Sequence, residues 1–503
     1  VDEPARSNTK HSEGDQVVPG FVTQAPGVNL PKGGGAIRGM GEKFAANPVT
    51  GAGNLTLPIA VSPGRSGFGP QLSLSYDSGS GNGPFGFGWS LSLPAITRKT
   101  DKGLPQYRDD QESDVYLLSG VDDLVPLLVQ RNGAWIPEPI PDRTVGGVTY
   151  AIRRYRPRIE GLFARIERWT NRANPSDIFW RSISKDNLTT WYGRTPESRI
   201  QGPHPAAPQG ALCTYSWLMC ESYDGKGNLI AYRYKREDDQ QVPLQHLNER
   251  SRYRSANIYL KRILYGNHSP YLARLQPDQP WPEPPGSGAW FFEVVFDYGE
   301  HDLLDPHPLD DQALDAQGRP AHPWSGRGDP FSTYRAGFEV RTQRLCRRVL
   351  MFHHFPNAPE VGADCLVRAT DFTYTDPLPA GDGHGPTYSM LSAAGLTGYQ
   401  RSGAHTYRSR VFPPVQFTYS QAVIQKDLRQ LERLSLENLP VGLDGGQFQW
   451  IDLDGESIPG ILSEQGGAWF YKRNLSPLAP AGQARFGPTE LIASQPAARL
   501  ALG

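Results

Sequence analysis

Several stretches of the sequence hold residue types that could do chemistry. Gly81-Asn82-Gly83-Pro84-Phe85-Gly86 matches the Gly-x-Gly-x-x-Gly pattern of a dinucleotide loop. That chemistry needs a strand before the loop and a helix after it, so that the helix N-terminus meets a phosphate. Here Trp89-Ser-Leu-Ser-Leu follows, alternating as a strand does, and Pro84 sits inside the loop. A β turn is expected. Asp452-Leu453-Asp454-Gly455 resembles the opening of a calcium loop, in which oxygen ligands recur at alternating positions. Ser457, Ile458 and Pro459 stand where a later acidic ligand is required. A turn whose Asp side chains accept from local backbone N–H groups is the better reading, and it applies equally to Tyr223-Asp-Gly-Lys-Gly-Asn228.

His301-Asp-Leu-Leu-Asp-Pro-His-Pro-Leu-Asp-Asp311 crowds possible metal ligands into a segment broken by prolines. It lacks the fixed short spacing of zinc ligands and reads as a solvated loop. His353 and His354 face opposite sides if they lie on a strand, so they do not share a metal. The carboxylate pairs Asp109-Asp110 and Asp122-Asp123 are adjacent in sequence, whereas a glycosidase sets two carboxylates facing each other across a cleft. There is no Gly-x-Ser-x-Gly elbow and no His-Glu-x-x-His. The residues thus assign no catalytic, cofactor-binding or metal-ligating side chain, and they leave the partner-binding residues open.

The elements that would position these residues are strands. Leu55, Leu57, Ile59 and Val61 alternate with Asn54, Thr56, Pro58 and Ala60; Leu72, Leu74 and Tyr76 alternate with Gln71, Ser73 and Ser75; Trp89, Leu91 and Leu93 alternate with Ser90 and Ser92. Successive strand side chains point to opposite sides, so each run has one buried face. Gly, Pro, Ser and Asn punctuate the runs and supply turns. Further strand candidates are Asp114–Leu128 after a charged loop at 105–114, then Thr149–Tyr155, Leu162–Trp169, Phe179–Ile183, Tyr215–Met219, Tyr232–Tyr234, Ile258–Tyr265, Trp290–Tyr298, Gly337–Phe355, Leu366–Tyr374 and Val415–Tyr419. The Pro-rich stretches Gln276–Pro285 and Leu303–Pro330 read as surface excursions, and Gln425–Asn438 as the one short helix.

With 503 residues, 38% hydrophobic and 11% aromatic, the chain is a folded protein with room for two to four domains. A net charge of −1 offers no global field for nucleic acid or an anionic membrane, and the run Arg153-Arg154-Tyr155-Arg156-Pro157-Arg158 reads as a solvated strand face. No apolar run approaches the roughly 20 residues of a membrane helix. Residues 1–32 form a polar arm without the apolar centre of a conventional signal peptide. Cys213, Cys220, Cys346 and Cys365 form no CxxC pair and read as buried thiols. From Phe448 a strand, an Asp-x-Asp-Gly turn, a second strand and the aromatic run Trp469-Phe470-Tyr471 read as one propeller blade. One blade cannot bury its faces alone, so the chain is expected to continue beyond Gly503. The fold class is all-β: an antiparallel strand-rich shell region over 33–435, then the start of a β-propeller over 440–503.

Gly86-Phe-Gly-Trp-Ser-Leu91, Lys99-Thr-Asp-Lys-Gly-Leu-Pro-Gln-Tyr107 and Leu117-Leu-Ser-Gly-Val-Asp-Asp-Leu-Val-Pro126 resemble the N-terminal region shared by the B components of bacterial Tc insecticidal toxin complexes and the Salmonella SpvB virulence protein. Leu396-Thr-Gly-Tyr399 and Phe412-Pro-Pro-Val-Gln-Phe-Thr-Tyr419 add weaker support. Ser222 to Tyr234 is similar to a single Tyr-Asp (Rhs-type) repeat, and Ile451 to Pro477 is very similar to the segment that opens the middle region of Tc B components. The resemblance implies a secreted, non-enzymatic toxin-delivery protein. With a C component it would build a hollow β shell around a cytotoxic segment, and its propeller would dock on a pentameric A channel. It implies no cofactor, no nucleic acid and no direct membrane insertion. A first alternative is the N-terminal module of an SpvB-like virulence protein, whose transferase would carry a Glu-x-Glu turn that this sequence lacks. A carbohydrate-binding or carbohydrate-active β protein is the second.

Overall fold

The computed structural model describes residues 53–119, 122–161, 163–205, 211–375, 388–403, 406–419, 433–439, 448–454, 458–480 and 483–493, with single positions at 40 and 431 and a short stretch at 42–46. The expected arm over 1–32 lies outside these residues. The chain divides into two compact units, one built on Leu55–Ile424 and the other on Gln425–Gly503. Among the described residues every long element is a strand, and no helix is long and apolar enough to cross a membrane.

The first unit opens with strands β1 (Gly53–Ile59), β2 (Leu72–Asp77) and β3 (Trp89–Leu91) of one small sheet. β2 and β3 pair Leu74 with Leu91 and Tyr76 with Trp89. The alternation in the sequence is kept: Leu57, Ile59, Leu72, Leu74 and Trp89 enter the main core, and Ser73, Ser75 and Ser90 stay outside it.

Eight strands then close on themselves. They are β4 (Ala95–Arg98), β5 (Tyr116–Leu118), β6 (Asp122–Pro126), β7 (Val148–Pro157), β8 (Arg165–Asn171), β9 (Ile178–Ile183), β10 (Thr189–Tyr192) and β11 (Cys213–Tyr223). Each pairs antiparallel with the next, and the ring shuts where Trp217 of β11 meets Ile96 of β4. Closure removes the edges that an open sheet would expose, and eight strands leave an interior just wide enough for side chains to fill. Tyr116 lies 4.8 Å from Trp180 between ring centroids, although β5 and β9 are not neighbours in the ring. Only the inward face allows that contact. Ile96, Tyr116, Tyr155, Ile166, Trp180 and Trp217 are therefore the lumen side.

The other face of the ring carries Tyr150, Trp169, Phe179 and Trp191. Trp281, from the Pro-rich stretch Gln276–Pro285, packs edge-on against all four. Leu303–Pro330 behaves likewise. Its Trp324 is fully buried and donates to Asp238 at 2.6 Å. Both excursions are thus anchored by a tryptophan that their overall polarity conceals.

β11 is long enough to serve both the ring and the ladder that continues the same sheet beyond it. Ser216–Leu218 close the barrel, while Glu221–Tyr223 pair with β12 (Leu229–Arg236) across the turn at Asp224. From there an antiparallel ladder continues in chain order through β13 (Ile258–Asn267), β14 (Trp290–Asp297), β15 (Arg348–Phe355), β16 (Gly362–Thr375), β17 (Met390–Gly403) and β18 (Thr406–Val411). The expected strand over Gly337–Phe355 is broken, with Val340–Thr342 in a separate two-stranded sheet. β17 is rich in Ala, Ser and Gly, which favour strands weakly, so its long pairing with β16 is imposed by the sheet.

The second unit contains an antiparallel meander of β19 (Phe448–Ile451), β20 (Gly460–Gln465), β21 (Ala468–Asn474) and β22 (Phe486–Leu491), paired in chain order. Ile461 and Tyr471 are its buried side chains of largest apolar bulk. Of the helix expected over Gln425–Asn438, residues 433–438 form turns and most of the rest lies outside the described residues.

Candidate functional site

The Gly81–Gly86 and Asp224–Asn228 motifs fold as turns, and of the Asp452 motif residues 455–457 lie outside the described residues. Asn82 pairs with Phe87 and Gly83 with Gly86 in a tight hairpin, and Gly86 takes φ 94°, which glycine adopts at low cost. Arg327 donates to the Gly83 carbonyl at 2.8 Å and to Asn82 Oδ1 at 2.9 Å, so the loop's polar groups are already engaged. Asp224 Oδ1 accepts from the backbone N–H groups of Lys226 and Asn228 at 2.8 and 3.0 Å, closing the β11–β12 hairpin. Asp452 Oδ1 accepts from the Asp454 N–H at 3.1 Å, and Asp454 pairs with Arg473.

No group of three or more potential ligands for a metal occurs among the described residues. His301 is buried, against the expectation of a solvated loop. Its Nε2 lies 2.8 Å from Lys261 Nζ and its Nδ1 2.9 Å from the His307 carbonyl oxygen. Lys261 also reaches Glu300 at 2.6 Å, so the strand-borne cation ties the loop down. Burial opposes ionisation of the neighbouring Asp310, but its bonds to His301 and to two backbone N–H groups prevail and hold its pKa at about 2. Other loops are fastened the same way: Glu249 to Arg254, Arg341 and Gln343, Glu237 to Arg344, and Asp297 to Arg348 at 2.6 Å. All four cysteines are unbridged, and burial pushes Cys213 and Cys220 up to about 11, so both are protonated thiols at neutral pH.

The densest chemistry is at one mouth of the barrel. The expected charged loop 105–114 turns three of its acids, Asp109, Glu112 and Asp114, toward the lumen. Asp109 takes a bidentate pair from Arg98 at 2.7 and 2.9 Å and a hydrogen bond from the Tyr116 hydroxyl at 2.7 Å. Asp114 accepts from Arg98 at 2.7 Å and from the Gln106 and Tyr107 N–H groups. Glu112 accepts from Arg168 and from the Tyr155 hydroxyl, both at 2.5 Å, and pairs with Arg153. The Arg98 guanidinium also lies over the rings of Tyr107 and Trp217, at 4.5 and 5.3 Å from their centroids. Burial works against the Asp109 carboxylate, but Arg98 and Tyr116 outweigh it and hold its pKa below the usual carboxylate range.

Beside this plug lies a cavity of ≈ 880 Å³, lined by Arg98, Pro137, Arg153, Arg168, Arg172 and Trp217 among others. The sequence offered a faint signal for it. Arg98 and Arg168 follow Ile96 and Ile166 by two residues, which puts a cation on the buried face of each strand. Asp109 and Asp110 separate, one inward and one exposed, and the side chain of Asp123 pairs with Lys99 and Arg158. Within the arginine run at 153–158, Arg153 pairs with Glu112, Arg154 with Glu138 and Arg158 with Asp123, while Arg156 is exposed.

The family model described as "SpvB: Salmonella virulence plasmid 65kDa B protein" matches residues 47–355. The Mono(ADP-ribosyl)transferase SpvB of Salmonella typhimurium strain 14028s is 37% identical over 383 residues, covering 74% of this chain and 57% of that protein. The Salmonella dublin protein of the same name gives the same figures. This chain therefore spans little more than half the length of those relatives. Among solved structures, the N-terminal domain of effector protein SpvB from Salmonella typhimurium strain LT2 is similar with TM-score 0.54 and 37% identity, over 68% of this chain and 98% of that one. A crystal structure of TcdB2-TccC3 is similar with TM-score 0.66 and 29% identity, over 93% of this chain and 21% of that one. A Photorhabdus luminescens Tc holotoxin pore matches with TM-score 0.64 and 29% identity, over 94% and 20%. With its family model covering most of the barrel and open sheet, and with these neighbours, the chain belongs to the SpvB family, as an N-terminal region of the SpvB and Tc-toxin B type.

Proposed function

We propose that this chain is the N-terminal part of a toxin-delivery structural protein. Residues 33–435 contribute wall to a hollow β shell that encloses a cytotoxic effector, behind the arm 1–32. Residues 440–503 begin a β-propeller through which the intact protein docks on a pentameric channel of the A type. A C-type component is the shell partner, and the assembly acts outside the producing cell. One observation carries this reading: the likeness to TcdB2-TccC3 extends over nearly the whole chain, well past the share matched by the SpvB domain. The physics is compatible. The strands end in a closed ring on one side, the ionisable groups at the barrel mouth are neutralised in pairs, and the β19–β22 meander has the strand order of a single blade.

Co-expression of the intact gene product with a C-type partner tests the proposal. A complex that co-elutes in size-exclusion chromatography, with the partner's C-terminal segment shielded from protease, is the expected result. Separate elution of two folded proteins would overturn it.

A second reading follows from the identity to the Salmonella transferases: an SpvB-like virulence protein whose front module presents an enzyme. The intact mass and C-terminal peptides of the native product separate the two. Further blades and Tyr-Asp repeats belong to the shell reading, and a short linker into a transferase belongs to the second.

A further inference from the structure

We propose that Asn132 is a site of spontaneous covalent modification, converting to aspartate and isoaspartate through a cyclic imide, a reaction independent of the shell reading. Asn-Gly occurs at two places in the sequence, Asn82-Gly83 and Asn132-Gly133. Glycine sets no side chain beside its own nitrogen and leaves the backbone free to turn, so this dipeptide closes the imide ring more readily than other Asn pairs. The reaction balances within the chain and water. The Gly133 nitrogen, its proton taken up by hydroxide, bonds to Asn132 Cγ; the Cγ–Nδ2 bond breaks, and ammonia leaves with a proton from water. Water then opens the imide at either carbonyl. One opening gives aspartate, and the other reroutes the main chain through the side chain as isoaspartate.

The two sites are the same dipeptide in opposite surroundings. Asn82 is held at both ends of its side-chain amide. Its Nδ2 donates to Asp329 Oδ2 at 2.8 Å, and its Oδ1 accepts from Arg327 Nη2 at 2.9 Å and from the Gly83 N–H at 3.0 Å. The last bond points the Gly83 hydrogen at the oxygen, whereas ring closure needs that hydrogen gone and the nitrogen lone pair on Cγ. A Cβ at Gly83 would also meet the Trp89 carbonyl oxygen at 2.8 Å, so this loop has little room to turn. Asn132 and Gly133, by contrast, are exposed, and with φ 49° and 80° they form the turn that joins Leu128–Arg131 to Ala134–Pro137. Neither the Asn132 side chain nor the Gly133 N–H has a hydrogen-bond partner among the described residues. Their hairpin is a sheet of two strands, which frays more readily than one braced by a third. The Asn132 amide can therefore swing onto the Gly133 nitrogen, while Asn82 must first break three hydrogen bonds. The product alters the hairpin: it sets a carboxylate beside the exposed Arg131 and, as isoaspartate, inserts a methylene into the main chain of a turn that depends on two positive φ values.

Peptide mapping by mass spectrometry tests this on the purified chain, aged in mildly alkaline buffer made with heavy-oxygen water. Enzymatic methylation of the isoaspartyl carboxylate reads the rerouted product. In the folded chain the Asn132 peptide should convert about tenfold faster than the Asn82 peptide, or more, because hydrogen bonds that add about 1.4 kcal/mol to a barrier slow the step tenfold. In urea the two should convert at comparable rates, since unfolding removes the bonds to Arg327 and Asp329. Asn132→Gln should abolish heavy-oxygen uptake at that position and leave Asn82 unchanged. Equal conversion of the two peptides in the folded chain, or faster conversion of Asn82, would overturn the proposal. So would an Asn132 that converts in urea but stays intact in the folded chain. A preference for Asn132 that persists undiminished in urea would overturn the role given to the fold.

Discussion

The His353 ring lies 2.7 Å from the Ser62 hydroxyl, while His354, the next residue on the same strand, sits 2.9 Å from Asp364 and 3.2 Å from Glu293. Burial, reinforced by the charges of His354 and Arg368, brings His353 down to about 4. Burial also disfavours the His354 cation, but Asp364 and Glu293 outweigh it and raise its pKa to about 9. Alternation on a strand separates two identical side chains into one neutral and one charged group.

Opposite shifts give opposite pH windows. The raised His354 contributes stability that is complete below its unfolded pKa of about 6.5 and is lost as pH climbs toward 9. The lowered His353 contributes stability above about 6.5 that is lost as pH falls toward 4. Urea unfolding across pH 4–9 should show His354→Gln flattening the alkaline limb and His353→Gln flattening the acid limb. A parallel loss at all pH values in either variant would contradict the assignment.

The plug at the barrel mouth predicts a large cost for removing its central cation. Arg98→Leu leaves Asp109 and Asp114 without their shared partner in a buried site, and should cost about 3–5 kcal/mol in urea unfolding. Arg98→Lys keeps the charge but not the fork that spans Asp109, and should cost less.

Trp180→Ala should destabilise by about 3–5 kcal/mol, because its ring fills the lumen against Tyr116, Tyr155 and Trp217. Trp135→Ala is the control. That ring is 66% exposed, so its removal should stay within about 0.5 kcal/mol.

The Gly-x-Gly-x-x-Gly loop separates a hairpin from a phosphate cradle by substitution. A Cβ at Gly86 would meet the Ser389 carbonyl oxygen at 2.8 Å on a backbone with φ 94°, so Gly86→Ala should lower the melting temperature by several degrees. A Cβ at Gly81 meets nothing within 4 Å, and Gly81→Ala should leave the melting temperature nearly unchanged. Neither variant should alter any nucleotide affinity.

The sequence by itself determined the element type along most of the chain. Period-two alternation is a local property, written in residues two apart, and it placed Leu57, Leu72, Leu74 and Trp89 on buried faces before any pairing was known. Turn chemistry was equally local: Asp224 bonds its own backbone neighbours Lys226 and Asn228, so a few adjacent residues settled that turn. The resemblance motifs supplied the family. Tertiary structure alone decided which strands close the ring, because closure joins Ile96 to Trp217, far apart in the chain. It also decided that loop 105–114 enters the lumen and that Trp281 and Trp324 pin Pro-rich segments to the fold. Each of those placements rests on a charge pair or ring contact between distant segments, such as Glu112 with Arg168. A local pattern carries no record of a partner that lies elsewhere in the sequence, so these positions became legible only once the sheet had set its register.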